Sequence, residues 1–117
     1  MLIYEVNLTV DEDVAPRYSS WLREHVRDML DLDGFEAAVW LDRHDDATTV
    51  PEADEPTDPR TWTIQYQVRD RSALQSYFDE HADAMRREAV EKFGEHVETS
   101  RRIFEQKRLF GGSSGAA

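Results

Sequence analysis

Apolar and polar side chains alternate along residues 2–10. Leu2, Tyr4, Val6, Leu8 and Val10 fall on one face, with Ile3, Glu5, Asn7 and Thr9 on the other. That is the two-residue period of a β-strand. The period then changes. Val14, Tyr18, Trp21, Leu22, His25, Val26, Met29 and Leu30 recur at spacings of three and four, the stripe of an amphipathic helix ending before Gly34. Asp11, Glu12 and Asp13 offer N-cap chemistry for it, and Pro16 suits its first turn. Alternation returns twice. In residues 35–42, Phe35, Ala37, Val39 and Leu41 oppose Glu36, Ala38, Trp40 and Asp42; in residues 62–69, Trp62, Ile64, Tyr66 and Val68 oppose Thr63, Gln65, Gln67 and Arg69. Asp70 caps a second helix with the stripe Leu74, Phe78, His81, Ala82, Met85, Ala89 and Phe93, stopping at Gly94. Residues 97–109 predict a last, less regular strand.

The order β-α-β-β-α-β predicts an α+β protein with the ferredoxin-like split βαβ architecture, a four-stranded antiparallel sheet carrying two helices on one face. Residues 1–110 form its single domain. Within it, residues 44–60 carry six carboxylates and three prolines and predict an exposed acidic loop; residues 111–117 are small and predict a disordered tail. The sheet face turned away from the helices collects Glu5, Asn7, Thr9, Glu36, Trp40, Thr63, Gln65 and Gln67, with Arg101 or Arg102 from the last strand. Such a strip is costly to bury unpaired and oddly rich in amides for a solvated face. A second copy of the chain, pairing these groups across a two-fold axis, resolves the conflict, so a homodimeric α+β barrel is expected.

Composition narrows the function classes. Fourteen Lys and Arg stand against 25 Asp and Glu, a net charge of −11, which argues against nucleic acid and anionic membrane as partners. The chain contains no cysteine, so thiolate catalysis, disulfides and Cys-type metal sites are excluded. No apolar run reaches membrane-span length and no leader pattern follows Met1, so a cytoplasmic protein is expected.

The chemistry-bearing positions are few. His25 and His81 each sit inside an apolar helical stripe, where an imidazole can transfer protons near neutral pH or pack with one nitrogen satisfied. No His or Glu pair has the spacing of a metal site, and no nucleophile elbow or glycine-rich phosphate loop occurs. Arg86, Arg87, Glu88, Glu91 and Lys92 read as a solvated helix face. One member of the Arg101-Arg102 pair faces the polar sheet surface, within reach of Glu5 or Glu36.

Tyr4-Glu5-Val6-Asn7, Trp21-Leu22-x-x-His25, Gly34-Phe35, Gln65-Tyr66, His81-Ala82-x-x-Met85-Arg86, Phe93-Gly94 and Arg101-Arg102 together resemble a small bacterial family of unknown function. That family belongs to the dimeric α+β-barrel superfamily, beside antibiotic-biosynthesis and haem-degrading monooxygenases, and the resemblance spans about residues 2–106. It implies a homodimer with a small-molecule pocket between sheet and helices. The candidate set is then His25 and His81 as catalytic residues, with Asn7, Trp21, Gln65, Tyr66, Met85 and Arg102 as ligand contacts. Asn7 and His81 also resemble the two positions of the haem degraders, whose helix tryptophan is replaced here by Tyr77 and Phe78. No cofactor is expected, with haem as the alternative. Three readings stay open: a ligand-binding dimer, a monooxygenase-like oxidoreductase using a helix-borne histidine, and a purely structural or interaction dimer.

Overall fold

The strictly alternating segment becomes the strand with partners on both sides, because both of its edges must find backbone hydrogen bonds in a buried position. The computed structural model describes residues 1–52 and 59–112. In chain order it contains β1 (Leu2–Val10), α1 (Ala15–Leu30), β2 (Phe35–Asp42), β3 (Arg60–Val68), α2 (Arg71–Glu80), α3 (Ala82–Phe93) and β4 (Val97–Glu105). Single 3-10 turns precede α1 and β4. The four strands lie in the order β2-β3-β1-β4, and every neighbouring pair is antiparallel. The fold is α+β and ferredoxin-like, as the alternation predicted. No helix among the described residues is long and apolar enough to cross a membrane.

One core lies between the sheet and the helices. Tyr4, Leu8, Ile64, Tyr66 and Val68 from the strands meet Tyr18, Leu22, Met29, Leu74, Tyr77 and Phe93 from the helices. Tyrosines are prominent in it: Tyr4 touches Tyr66, Tyr77 and Phe78 with ring centroids 6.1, 5.7 and 5.5 Å away. Such ring pairs add roughly 0.5–1.5 kcal/mol each beyond the area they bury.

Four sequence expectations need correction. The parity of β2 is inverted by an irregularity between Phe35 and Ala37, after which Ala38 pairs with Tyr66 and Trp40 with Ile64. One extra residue in a strand exchanges its faces from that point on. Trp40 therefore packs toward the core, 5.0 Å from Trp62, and is not on the open face. Val39 and Leu41 take its place there, 44% and 39% exposed. Second, the long helix predicted from Asp70 to Phe93 is two helices, α2 and α3, with His81 at the break (φ −129°, ψ −32°). Third, the Asp11 side chain does not cap α1; its carboxylate meets His96 Nδ1 at 3.0 Å, and α1 begins through a 3-10 turn. Fourth, β4 ends at Glu105 and not at residue 109.

Other local signals act as read. Asp70 accepts a hydrogen bond from the Ala73 amide at 2.9 Å and caps α2. Gly34 turns the chain between α1 and β2 at φ +82°, and a Cβ there would lie 2.3 Å from the Ala73 Cβ. Of the expected acidic loop 44–60, residues 53–58 lie outside the described residues, as do 113–117 of the expected tail.

Candidate functional site

The sheet separates the predicted site residues into two groups. On its helix-bearing side the core leaves a cavity of about 60 Å³ between α1, α3 and the strands. Trp21, His25 and Met29 line it from α1, Met85, Arg86 and Ala89 from α3, and Tyr77 from α2. Its floor is Tyr4, Val6 and Leu8 of β1, Ile64 and Tyr66 of β3, and Thr99 and Arg101 of the edge strand β4. Four predicted residues thus converge: Trp21, His25, Tyr66 and Met85.

His25 reaches this cavity because it continues the α1 stripe one turn after Trp21. Its imidazole lies on the Trp21 indole, centroids 4.8 Å apart and planes 10° from parallel. The indole Nε1 donates to Glu88 Oε1 across the α1–α3 seam at 3.2 Å, which fixes the ring. Burial pushes the His25 pKa below its ordinary 6.5, and Arg101 adds to this while Asp28 and Glu88 oppose it. At neutral pH His25 is therefore an uncharged imidazole, able to accept a proton.

Arg86 enters the same space from α3. Its Nη2 donates to the Tyr4 hydroxyl at 3.2 Å, and its guanidinium stands 5.9 Å from the Phe78 ring centroid. The Nε atom is buried with no hydrogen-bond partner. Arg86 is thus not part of a solvated face, contrary to the sequence reading. The missed signal is its place in the stripe Ala82, Met85, Arg86, Ala89, where charge outweighed spacing. Arg101 was likewise overlooked; it pairs with Val6 in the sheet register and so sits on the helix-bearing side.

The tyrosines around the cavity are held protonated. Burial raises the Tyr18 hydroxyl to about 12, against a smaller lowering by Arg101. It also raises Tyr77 to about 12, helped by Tyr4 and opposed by Arg86, and raises Tyr66 further. They supply hydroxyl donors, not charges.

Asn7, Gln65 and Arg102 lie on the opposite, open side of the sheet. There Glu5 is only 4% exposed and accepts hydrogen bonds from Asn7 Nδ2 at 3.0 Å, Gln65 Nε2 at 3.0 Å and Arg102 Nε at 2.7 Å. Thr63 Oγ1 completes the network by donating to Asn7 Oδ1 at 2.7 Å. Burial alone would raise the Glu5 pKa; the bonds from Gln65, Arg102 and Asn7 outweigh it and hold the carboxyl below its ordinary value. Glu5, Asn7, Thr63 and Gln65 of this strip therefore find partners within one chain. Pairing across a two-fold axis, the expected solution, is not needed for them.

His81 belongs to neither group. It occupies the α2–α3 break, its side chain 44% exposed and 3.8 Å from Glu80, and it does not line the cavity.

With this geometry in hand, kinship can be stated. The model of the family described as Domain of unknown function (DUF4286) matches residues 1–107, and the chain belongs to that family. None of the curated proteins compared with it matches. Among solved structures, a candidate antibiotic biosynthesis monooxygenase from Deinococcus radiodurans superposes with a TM-score of 0.69 at 12% identity, over 95% of this chain and 97% of that one. SnoaB, a cofactor-independent oxygenase from Streptomyces nogalater, gives 0.65 at 12% identity, over 95% and 97%. The heme-degrader MhuD from Mycobacterium tuberculosis, solved with two hemes in its active site, gives 0.61 at 12% identity, over 95% and 100%. At such identities these likenesses define the fold.

A haem can be tested against the residues present, and they do not fit one. Asn7 and His81, the two positions that suggested it, stand apart, Asn7 on the open face and His81 at the helix break. The cavity that does hold a histidine measures about 60 Å³, whereas pockets for drug-sized ligands run to roughly 300–1,000 Å³.

Proposed function

We propose that the protein is a homodimeric α+β-barrel protein that binds a small ligand in the cavity between α1, α3 and the sheet. The observation that carries this reading is the convergence there of His25, uncharged and without a protein hydrogen bond among the described residues, with the unpartnered Nε of Arg86. Buried polar groups left without partners inside a fold are uncommon, and a ligand supplies what the chain does not. Trp21, Tyr66 and Met85 would grip the ligand's apolar part. Asn7, Gln65 and Arg102 serve instead the strip on the open face.

The dimer draws support from that open face. Val39 and Leu41 are exposed along one edge of it, and Phe104, 41% exposed, lies toward the other edge beside Ile3. A neutralised polar strip flanked by apolar side chains suits a second copy of itself, and self-complementary two-fold interfaces are the commonest kind.

The test uses the three methionines. Small aromatic and aliphatic compounds are added to methyl-labelled protein, and the Met29 and Met85 methyls, which line the cavity, are followed beside Met1, which does not. Selective movement of Met29 and Met85, lost in His25→Ala and kept in His81→Ala, is the expected result. A library that moves neither methyl ends the reading.

A second reading, a cofactor-free oxidoreductase, is favoured by the uncharged state and position of His25. In it His25 removes a proton from an electron-rich phenolic substrate, and the adjoining guanidinium groups stabilise the resulting oxyanion. Oxygen uptake with hydroquinones, abolished by His25→Ala, would support it; no uptake above the protein-free rate would dismiss it.

A further inference from the structure

The cavity carries a charge opposite to that of the molecule around it. The chain has a net charge of −11, yet among the described residues the ionised groups lining this space are Arg86 and Arg101, and no carboxylate lines it. Asp28 and Glu88 act on His25 from outside the lining, and Glu88 is engaged by Trp21 Nε1 and by Lys92 Nζ at 3.3 Å. The nearest acidic influence on Arg86 is Asp83, on its own helix, with which it forms no ion pair. Arg101 also forms no hydrogen bond or ion pair among the described residues.

Burying a guanidinium is costly without an acceptor for each N–H. Arg86 has one acceptor, the Tyr4 hydroxyl, and that oxygen is a neutral partner. Its Nε is buried and has no hydrogen-bond partner. A guanidinium edge made of Nε and one Nη is the geometry that binds a planar two-oxygen anion side by side. The other polar groups at hand, the hydroxyls of Tyr18, Tyr66 and Tyr77, stay protonated and can donate to such an anion. His25, uncharged, does not repel the apolar remainder of the ligand.

We propose that the ligand of this cavity is a small organic carboxylate, anchored through its two oxygens on Arg86 with Arg101 at the edge-strand side. This rests on the ligand-binding reading above and names the ligand's chemical class. The cavity volume of about 60 Å³ keeps the anchored part small: it admits the carboxylate and a short or flat apolar stem. Specificity follows from charge more than from shape. A neutral amide of the same outline offers one oxygen and a donor that meets a donor, so it loses both the charge and the second bond.

The experiment compares propionate and benzoate with propionamide and benzamide, at constant ionic strength, by the Met29 and Met85 methyl resonances. Expected are saturable shifts with both carboxylates and affinities weaker by about tenfold or more for the amides, the range of one charge-assisted hydrogen bond. Arg86→Gln should remove this discrimination. Arg86→Lys, which keeps the charge but lacks the Nε–H edge, should keep only part of it. Unchanged Met1 and Met29 methyl positions in the ligand-free variants establish that they fold.

The outcomes separate the two ideas. If amides and carboxylates move Met29 and Met85 with equal affinity, the cavity binds ligands and the anion preference is wrong. If Arg86→Gln retains the full preference for carboxylate, Arg86 is not the anchor and the proposal falls. If no compound of either kind moves these methyls, the ligand-binding reading falls with it.

Discussion

The imidazole of His25 rests face to face on the indole of Trp21, 4.8 Å between centroids, while that indole hydrogen-bonds Glu88 on α3. One tryptophan thereby covers a face of His25, the histidine that lines the cavity among the described residues. Trp21→Ala should cost about 2 kcal/mol of stability, less than full truncation of a core aromatic because the ring is only half-buried. It should also let water reach His25, so that the imidazole pKa climbs back toward 6.5. Urea unfolding and an NMR titration of His25 measure the two effects.

The same burial makes stability depend on pH. The folded-state pKa of His25 lies below the unfolded value of 6.5, so between the two the unfolded chain binds the extra proton. This contribution is complete above pH 6.5 and declines as the pH falls from there toward the folded value. His25→Gln should flatten that part of the curve. Urea midpoints taken across that window check the sign.

Glu5 acts at lower pH. Its folded pKa is depressed, so the stabilisation is present above the ordinary value of 4.5 and is lost as the pH drops through the lowered one. At pH 7, Glu5→Gln should cost about 2 kcal/mol, because the Arg102, Gln65 and Asn7 donors then face an amide in place of a buried carboxylate. The gap between wild type and variant should close in acid. Equal destabilisation at every pH would contradict the assignment.

Gly34 is needed twice over, for its φ of +82° and for the close approach of Ala73. Gly34→Ala should destabilise by about 2 kcal/mol or more, since the backbone disfavours a side chain there and the added methyl overlaps α2. Ala73→Gly in the Gly34→Ala background relieves only the overlap and should restore part of the loss. Thermal unfolding of the pair separates the two components.

The proposed dimer makes its own demand on the open face. Leu41→Asp places a charge on an exposed edge of that face, beside Thr63 at the margin of the Glu5 network and away from the cavity lining. It should shift the sedimentation mass from two chains to one at micromolar concentration while leaving the cavity methyls in place. A wild-type chain that sediments as a monomer would remove the interface from the account.

Periodicity was sufficient for the element order, the sheet and most of the core, because a strand or helix with one apolar face can bury it in few ways. The cap at Asp70 and the turn at Gly34 were legible too, as was an arginine–carboxylate pair on the open face, though only the sheet register chose Arg102 and Glu5 over Arg101 and Glu36. Four residues of the cavity lining were also visible: Trp21, His25, Tyr66 and Met85 continue apolar stripes that must face the interior.

The rest was decided in three dimensions. A single irregularity after Phe35 reversed the faces of β2, moving Trp40 inward and Val39 and Leu41 outward, and alternation is the same pattern in either parity. The break at His81 turned that histidine out of the core, although a continuous helix would have kept it in the stripe. Arg86 looked like any surface arginine until α3 was laid across β1, where its long stem brought the guanidinium to the Tyr4 hydroxyl. Pattern along a chain reports which side of an element is apolar. Which polar group is then trapped beneath it depends on how the elements are stacked, and that is a property of the packed whole.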